Sequence, residues 1–158
     1  MIELVIFDCD GVVVDSELLA NTLAAELKTK MGYSITPREH IRKFVGLSNT
    51  APEYLEVFNK LPQNYKKIAL EEREKLFKKE LKAINGIENI LKGLTLKFCL
   101  ASSGTMEKMQ LTLGITKLYK YFEGKIFSAQ MVKKGKPCLL YTSPSPRDAT
   151  LSRMPSSA

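Results

Sequence analysis

The chain has 158 residues, enough for one ordinary domain or a small core with an insertion, and a formal charge of +7 from 24 Lys and Arg against 17 Asp and Glu. Aromatic residues do not interleave with the basic ones, so the charge reads as a solvated face that can attract anionic, phosphorylated substrates, not as a nucleic-acid surface. No apolar run approaches the roughly 20 residues of a membrane span, and three cysteines without a Cys-x-x-Cys spacing argue against a disulfide framework.

Leu4-Val5-Ile6-Phe7 predicts a buried first strand, followed at once by Asp8-Cys9-Asp10-Gly11-Val12-Val13-Val14-Asp15-Ser16-Glu17. Side chains two apart on an extended chain share a face, so Asp8 and Asp10 are expected to point into one small volume. Two carboxylates that close repel unless a cation sits between them. Mg²⁺ is a hard ion that prefers oxygen ligands and also binds phosphate oxygens, so the pair reads as a metal-assisted phosphoryl site. An Asp-Gly bend alone explains Asp10 better than Asp8, whose carboxylate follows four apolar residues and needs specific compensation. Cys9 and Cys99 lie in apolar runs and are expected to be reduced and buried. A catalytic Cys9 is disfavoured, because neighbouring negative charge raises a thiol's pKa.

Asp15 or Ser16 can cap a helix in which Leu19, Ala20, Leu23, Ala24, Leu27 and Met31 recur at helical spacing until Gly32. Thr36-Pro37-Arg38-Glu39 carries an N-cap, a first-position Pro and a Glu three residues on, which starts a second helix that Gly46 stops. Thr50-Ala51-Pro52-Glu53 repeats the signature before a helix over 54–60, and a longer charged helix follows over 65–81. His40, the single histidine, is assigned to a helix surface. After Asn85-Gly86 the pattern changes to alternating α and β: a helix over 87–92, a buried strand over 96–101, then Ser102-Ser103-Gly104-Thr105 at its carboxyl end. A helix stopped by Gly114, a short helix over 118–122, a strand over 125–128 and a basic loop ending Lys133-Lys134-Gly135-Lys136-Pro137 complete it. Strands separated by helices predict a doubly wound parallel α/β sheet, which binds ligands beyond the carboxyl ends of its strands. Asp8, Asp10, Ser102 and Lys136 then fall on one edge. Residues 1–15 and 85–137 are the expected core, and 16–84 an inserted helical domain.

Beyond Pro137 the composition turns to Ser, Thr and Pro without any period. CTCTTATACACATCT translates to Leu139-Leu140-Tyr141-Thr142-Ser143, and CGTATGCCGTCTTCTGCT to Arg153-Met154-Pro155-Ser156-Ser157-Ala158. Both strings resemble parts of a transposon-based sequencing adapter, in order and in one frame. Residues 138–158 are therefore expected to be a non-native, disordered tail, and the rest an N-terminal fragment whose gene continues past Pro137.

Asp8-x-Asp10-Gly11-x-x-x-Asp15-Ser16, the strand end Leu100-Ala101-Ser102 and Lys136-Pro137 together resemble the haloacid dehalogenase-like hydrolase superfamily, in the branch of sugar-phosphate phosphatases and β-phosphoglucomutase. The resemblance implies an incomplete Rossmann-like core with a helical cap, acting as a Mg²⁺-dependent phosphatase on a small phosphorylated metabolite such as a sugar phosphate. Asp8 would be the nucleophile that forms an aspartyl-phosphate, and Asp10 the general acid and base. Ser102 would hold the phosphoryl oxygens, and Lys136 would neutralise charge. Asp8 and the Asp10 carbonyl would bind Mg²⁺, while Gly11, Ser103 and Gly104 would line the phosphate site. Phe44-Val45-Gly46-Leu47-Ser48-Asn49 would be a substrate-facing loop, with Gly46 and Asn49 as contacts. A fourth, acidic motif is expected beyond Pro137, which leaves this chain inactive and marginally folded. A β-phosphoglucomutase-like phosphomutase, or a non-catalytic phospho-acceptor or binding domain, are the alternatives. The protein is expected to be a cytoplasmic monomer with no nucleic-acid or membrane partner.

Overall fold

In a computed structural model of the protein, residues 2–47 and 51–132 are described. In chain order the elements are β1 (Leu4–Phe7), α1 (Glu17–Lys30), α2 (Pro37–Phe44), α3 (Pro52–Phe58), α4 (Tyr65–Glu80), α5 (Ile87–Gly93), β2 (Lys97–Ser102), α6 (Met106–Ile115), α7 (Tyr119–Phe122) and β3 (Ile126–Ser128), with a 3-10 turn at Ala129–Met131. Contacts divide the chain into two compact units, one of residues up to Asp15 and from Leu81 onward, the other Ser16–Glu80.

The first unit is a parallel sheet in the order β1-β2-β3, with Ile6 opposite Cys99 and Leu100 opposite Ile126. β2 is central and buries Cys99, Leu100, Ala101 and Ser102. β1 is half-buried along its length, not buried as its apolar run suggests, because among the described strands it has a neighbour on one side only. Phe7, Phe98 and Phe122 meet edge to face with centroids 5.6–6.0 Å apart, which locks β1 and β2 to α7. Met109 and Leu113 of α6 are fully buried.

Of the boundaries that differ from the sequence reading, two are the ends of β2 and α6. β2 extends to include Ser102, and α6 continues through Gly114 to Ile115. A helical glycine does not stop a helix when its neighbours supply enough burial. Here Lys117 takes the left-handed position instead (φ 60°), and the Leu118 N–H donates to the Leu113 carbonyl at 2.8 Å.

In the second unit the predicted capping box forms. Thr36 Oγ1 accepts from the Glu39 N–H, and Glu39 Oε2 accepts from the Thr36 N–H at 2.9 Å. α3 starts with Ala51 as its cap, and Thr50 lies outside the described residues. Ser16 occupies the α1 cap position without a side-chain capping bond. Leu27, Leu61 and Tyr65 form a small core against which Leu23, Met31 and Phe58 pack. His40 corrects the surface assignment. It is 5% exposed, because one turn ahead of Phe44 it falls on the buried stripe of α2 and packs its ring 4.8 Å from that of Phe44. No helix among the described residues is long and apolar enough to cross a membrane.

Candidate active site

The end of β1 turns sharply. Gly11 has φ 73°, its N–H donates to the Val14 carbonyl at 2.9 Å, and the Val13 and Val14 N–H groups both donate to the Cys9 carbonyl at 3.0 Å. Glycine adopts that left-handed backbone with no Cβ penalty, which suits Gly11 to the turn. Ile84 N–H to the Val13 carbonyl and Asp15 N–H to the Lys82 carbonyl, at 3.0 and 2.9 Å, then hold the segments on either side of the helical insertion together.

Cys9 is 1% exposed, while Asp8 and Asp10 on either side of it are half-buried, as alternation along an extended chain requires. The Cys9 N–H donates to Asp8 Oδ1 at 2.8 Å. Burial, followed by the charge of Asp10, pushes the Cys9 thiol up to about 12, so it carries no thiolate near neutrality.

At the end of β2, Ser102 is 1% exposed and its Oγ accepts from the Gly104 N–H at 3.0 Å. Ser128, at the end of β3, donates from Oγ to the Gly104 carbonyl at 2.6 Å. The ends of β2 and β3 are thereby tied through one loop. A Cβ built on Gly104 would lie 3.4 Å from Ser102 Oγ, 3.4 Å from Lys108 Cδ and 3.9 Å from Asp10 Oδ2. Ser102, Gly104, Lys108 and Asp10 therefore enclose one small space. Lys108 Nζ donates to both Asp10 oxygens at 2.8 Å. Ser103 faces solvent. Lys136 and Asn49 lie outside the described residues, and Gly46, in the helical unit, occupies a left-handed turn (φ 83°) after α2.

Lys108 and Ser128 were not anticipated. Lys108 carried a readable signal, since it is the third residue of a helix capped by Thr105, and a cation in a first helical turn opposes the macrodipole. Such a lysine calls for an acidic partner, and Asp10 is that partner.

The chemistry of the donors suits a hard cation. Asp8 and Asp10 offer carboxylate oxygens, the donor type a hard cation prefers. Among the described residues, no group of three or more His, Cys, Asp or Glu gathers that could hold a metal ion.

The sheet is parallel, a helical insertion follows its first strand, and acidic, hydroxyl and cationic side chains gather beyond its strand ends, where open α/β sheets bind ligands. Residues 5–140 match the model of the haloacid dehalogenase-like hydrolase family, and the chain belongs to that family. It is 31% identical over 142 residues to 6-phosphogluconate phosphatase of Escherichia coli K12, covering 86% of this chain and 63% of that protein. It is 33% identical over 143 residues to the phosphorylated carbohydrates phosphatase of Thermotoga maritima, covering 85% and 65%. The crystal structure of a conserved haloacid dehalogenase-like protein from Agrobacterium tumefaciens superposes with a TM-score of 0.72 at 28% identity, covering 88% of this chain and 63% of that one. The chain thus spans less than two thirds of the length of each of these relatives.

Proposed function

We propose that the protein to which this chain belongs is a Mg²⁺-dependent phosphatase acting on a small phosphorylated carbohydrate. The observation that carries the reading is the convergence of Asp10, Ser102, Gly104 and Lys108 beside Asp8 at the carboxyl edge of a parallel sheet. Two relatives named as phosphatases of phosphorylated sugars and sugar acids support it.

In the proposed cycle an Asp8 carboxylate oxygen attacks phosphorus, the bond to the substrate oxygen breaks, and Asp10 gives that oxygen its proton. Asp10 then takes a proton from water, which attacks phosphorus and returns Asp8 as a free carboxylate with release of inorganic phosphate. Ser102 and the backbone N–H groups of the Ser103–Gly104 loop hold phosphoryl oxygens, and Lys136 neutralises charge between phosphate and Asp8. Both Asp10 oxygens accept from Lys108 in this arrangement, so proton donation requires that ion pair to open. Asp8 and the Asp10 carbonyl would hold Mg²⁺, which when bound offsets negative charge on the phosphoryl group. The helical unit, with the loop at Gly46, serves as the cap that excludes water and selects the substrate.

With two carboxylates gathered at the site, the chain as it stands is proposed to be inactive alone. The test is phosphate release from a series of sugar phosphates, with and without Mg²⁺, by a chain carried to the length of its relatives. Metal-dependent turnover that falls at least about 10³-fold in Asp8→Asn is expected. Turnover indifferent to Asp8 would refute the proposal.

A further inference from the structure

One cation at the strand ends has no part in the proposed cycle except to be displaced. Lys108 Nζ donates to both Asp10 oxygens at 2.8 Å, and both side chains remain part-exposed, within reach of a small solute. Stability alone does not account for a lysine at this point. Lys108 sits in the first turn of α6, where a cation opposes the helix dipole, and a part-exposed ion pair adds little in return. The helix start is capped without the ammonium, since Thr105 Oγ1 accepts from the Lys108 backbone N–H at 3.3 Å.

The lysine stem runs beside Gly104, where a built Cβ would lie 3.4 Å from Lys108 Cδ, 3.4 Å from Ser102 Oγ and 3.9 Å from Asp10 Oδ2. These are the atoms that enclose the proposed phosphoryl position. Gly104 is held on both sides, because its N–H donates to Ser102 Oγ at 3.0 Å and its carbonyl accepts from Ser128 Oγ at 2.6 Å. The loop is thus a fixed wall of the site. Lys108 is the adjustable one, an unbranched stem ending in three rotatable N–H donors.

We infer that Lys108 is a phosphate-binding residue, paired with Asp10 before substrate binds and with the phosphoryl group afterwards. The inference rests on the phosphatase reading above. A phosphomonoester brings a charge of about −1.5 to −2 and three strong acceptor oxygens, against the single charge and two oxygens of Asp10, so it is the stronger partner for one ammonium. The exchange makes and breaks hydrogen bonds only. It also clears Lys108 from both Asp10 oxygens, as proton donation to the leaving oxygen requires. Arrival of the phosphoryl group and release of Asp10 are then one event, and a ligand without that group leaves Asp10 engaged.

Inorganic phosphate is the probe, used with Mg²⁺ present on the full-length protein to which this chain belongs, both as a calorimetric titrant and as an inhibitor of sugar-phosphate hydrolysis. Phosphate affinity is expected to fall about tenfold or more in Lys108→Met, with KM rising in step, and to be partly restored in Lys108→Arg. Asp10→Asn removes the competing carboxylate, so phosphate is expected to bind several-fold tighter, and this gain is expected to shrink when Lys108→Met is added. Urea denaturation of each variant checks its fold. If Lys108→Met fails to fold, Lys108→Gln, whose head can still donate to Asp10, takes its place. Phosphate affinity and KM unchanged by loss of the Lys108 charge, with only the urea midpoint lowered, would show that the lysine merely braces Asp10 and would overturn the inference. Equal gains from Asp10→Asn with and without Lys108 would overturn it too. Hydrolysis indifferent to Asp8→Asn marks a failure of the phosphatase reading, whereas Asp8-dependent hydrolysis with phosphate binding indifferent to Lys108 marks a failure of this inference alone.

Discussion

Asp10 is gripped through both oxygens by Lys108, with side-chain exposures of 27% and 21%, so the pair is neither a free surface contact nor fully desolvated. Pairs of this kind contribute about 0.5–1.5 kcal/mol. A double-mutant cycle of Asp10→Asn and Lys108→Met, followed by urea denaturation, is expected to return a coupling in that range. A value of zero would mean that the pair does not hold the β1 end to α6. Cys9 and Cys99 are both free and buried. Burial pushes Cys9 to about 12 and Cys99 to about 11. Peptide mapping after iodoacetamide treatment at pH 8 is expected to find both unlabelled in the folded protein and labelled after unfolding. Rapid native labelling of Cys9 would reopen a thiol role that the structure argues against.

The helical unit places its ionisable groups under strain that can be read against pH. Lys28 falls from 10.5 to about 8 because burial disfavours its charged form. Between pH 8 and 9 the unfolded state keeps the Lys28 proton that the folded state loses, so stability rises with pH there, whereas above pH 9 Cys9 and Cys99, held as thiols in the fold, act in the opposite sense. His40 falls from 6.5 to about 4, first through burial and then through the charge of Lys28. Between pH 6.5 and 4 the unfolded state again binds the extra proton, so stability falls as the solution is acidified. Urea titrations followed by helical circular dichroism should show both slopes. Lys28→Met is expected to abolish the alkaline one and to shrink the acidic one, since it removes part of the cause of the His40 shift. A variant that keeps the alkaline slope would show that another group carries it.

Across the molecule, what could be read in advance was whatever local chemistry dictates. The Thr36-Pro37-Arg38-Glu39 cap, the Asp10-Gly11 turn and the parallel α/β order all follow from short-range rules that the sequence displays directly. Long-range pairing was not legible in the same way. Lys108 lies 98 residues from Asp10, and Ser128 lies 24 residues from the Gly104 carbonyl it binds, so only the folded sheet edge brings them together. His40 was misplaced for a related reason. Its burial depends on Lys28 and Asn21 of a different helix as well as on Phe44 one turn further along its own. Lys136, Asn49 and the residues after Pro137 lie outside the described structure, and their assigned roles stand as proposals.

The proposed chemistry rests on one covalent event, and that event can be caught. A chain of the relatives' length can be mixed with a ³²P-labelled sugar phosphate and Mg²⁺, quenched in acid within the first turnover, digested and mapped. The expected result is label on the peptide containing Asp8, sensitive to hydroxylamine as an acyl phosphate should be and missing in Asp8→Asn. Steady phosphate release with no label at Asp8, or with label at another residue, would contradict it.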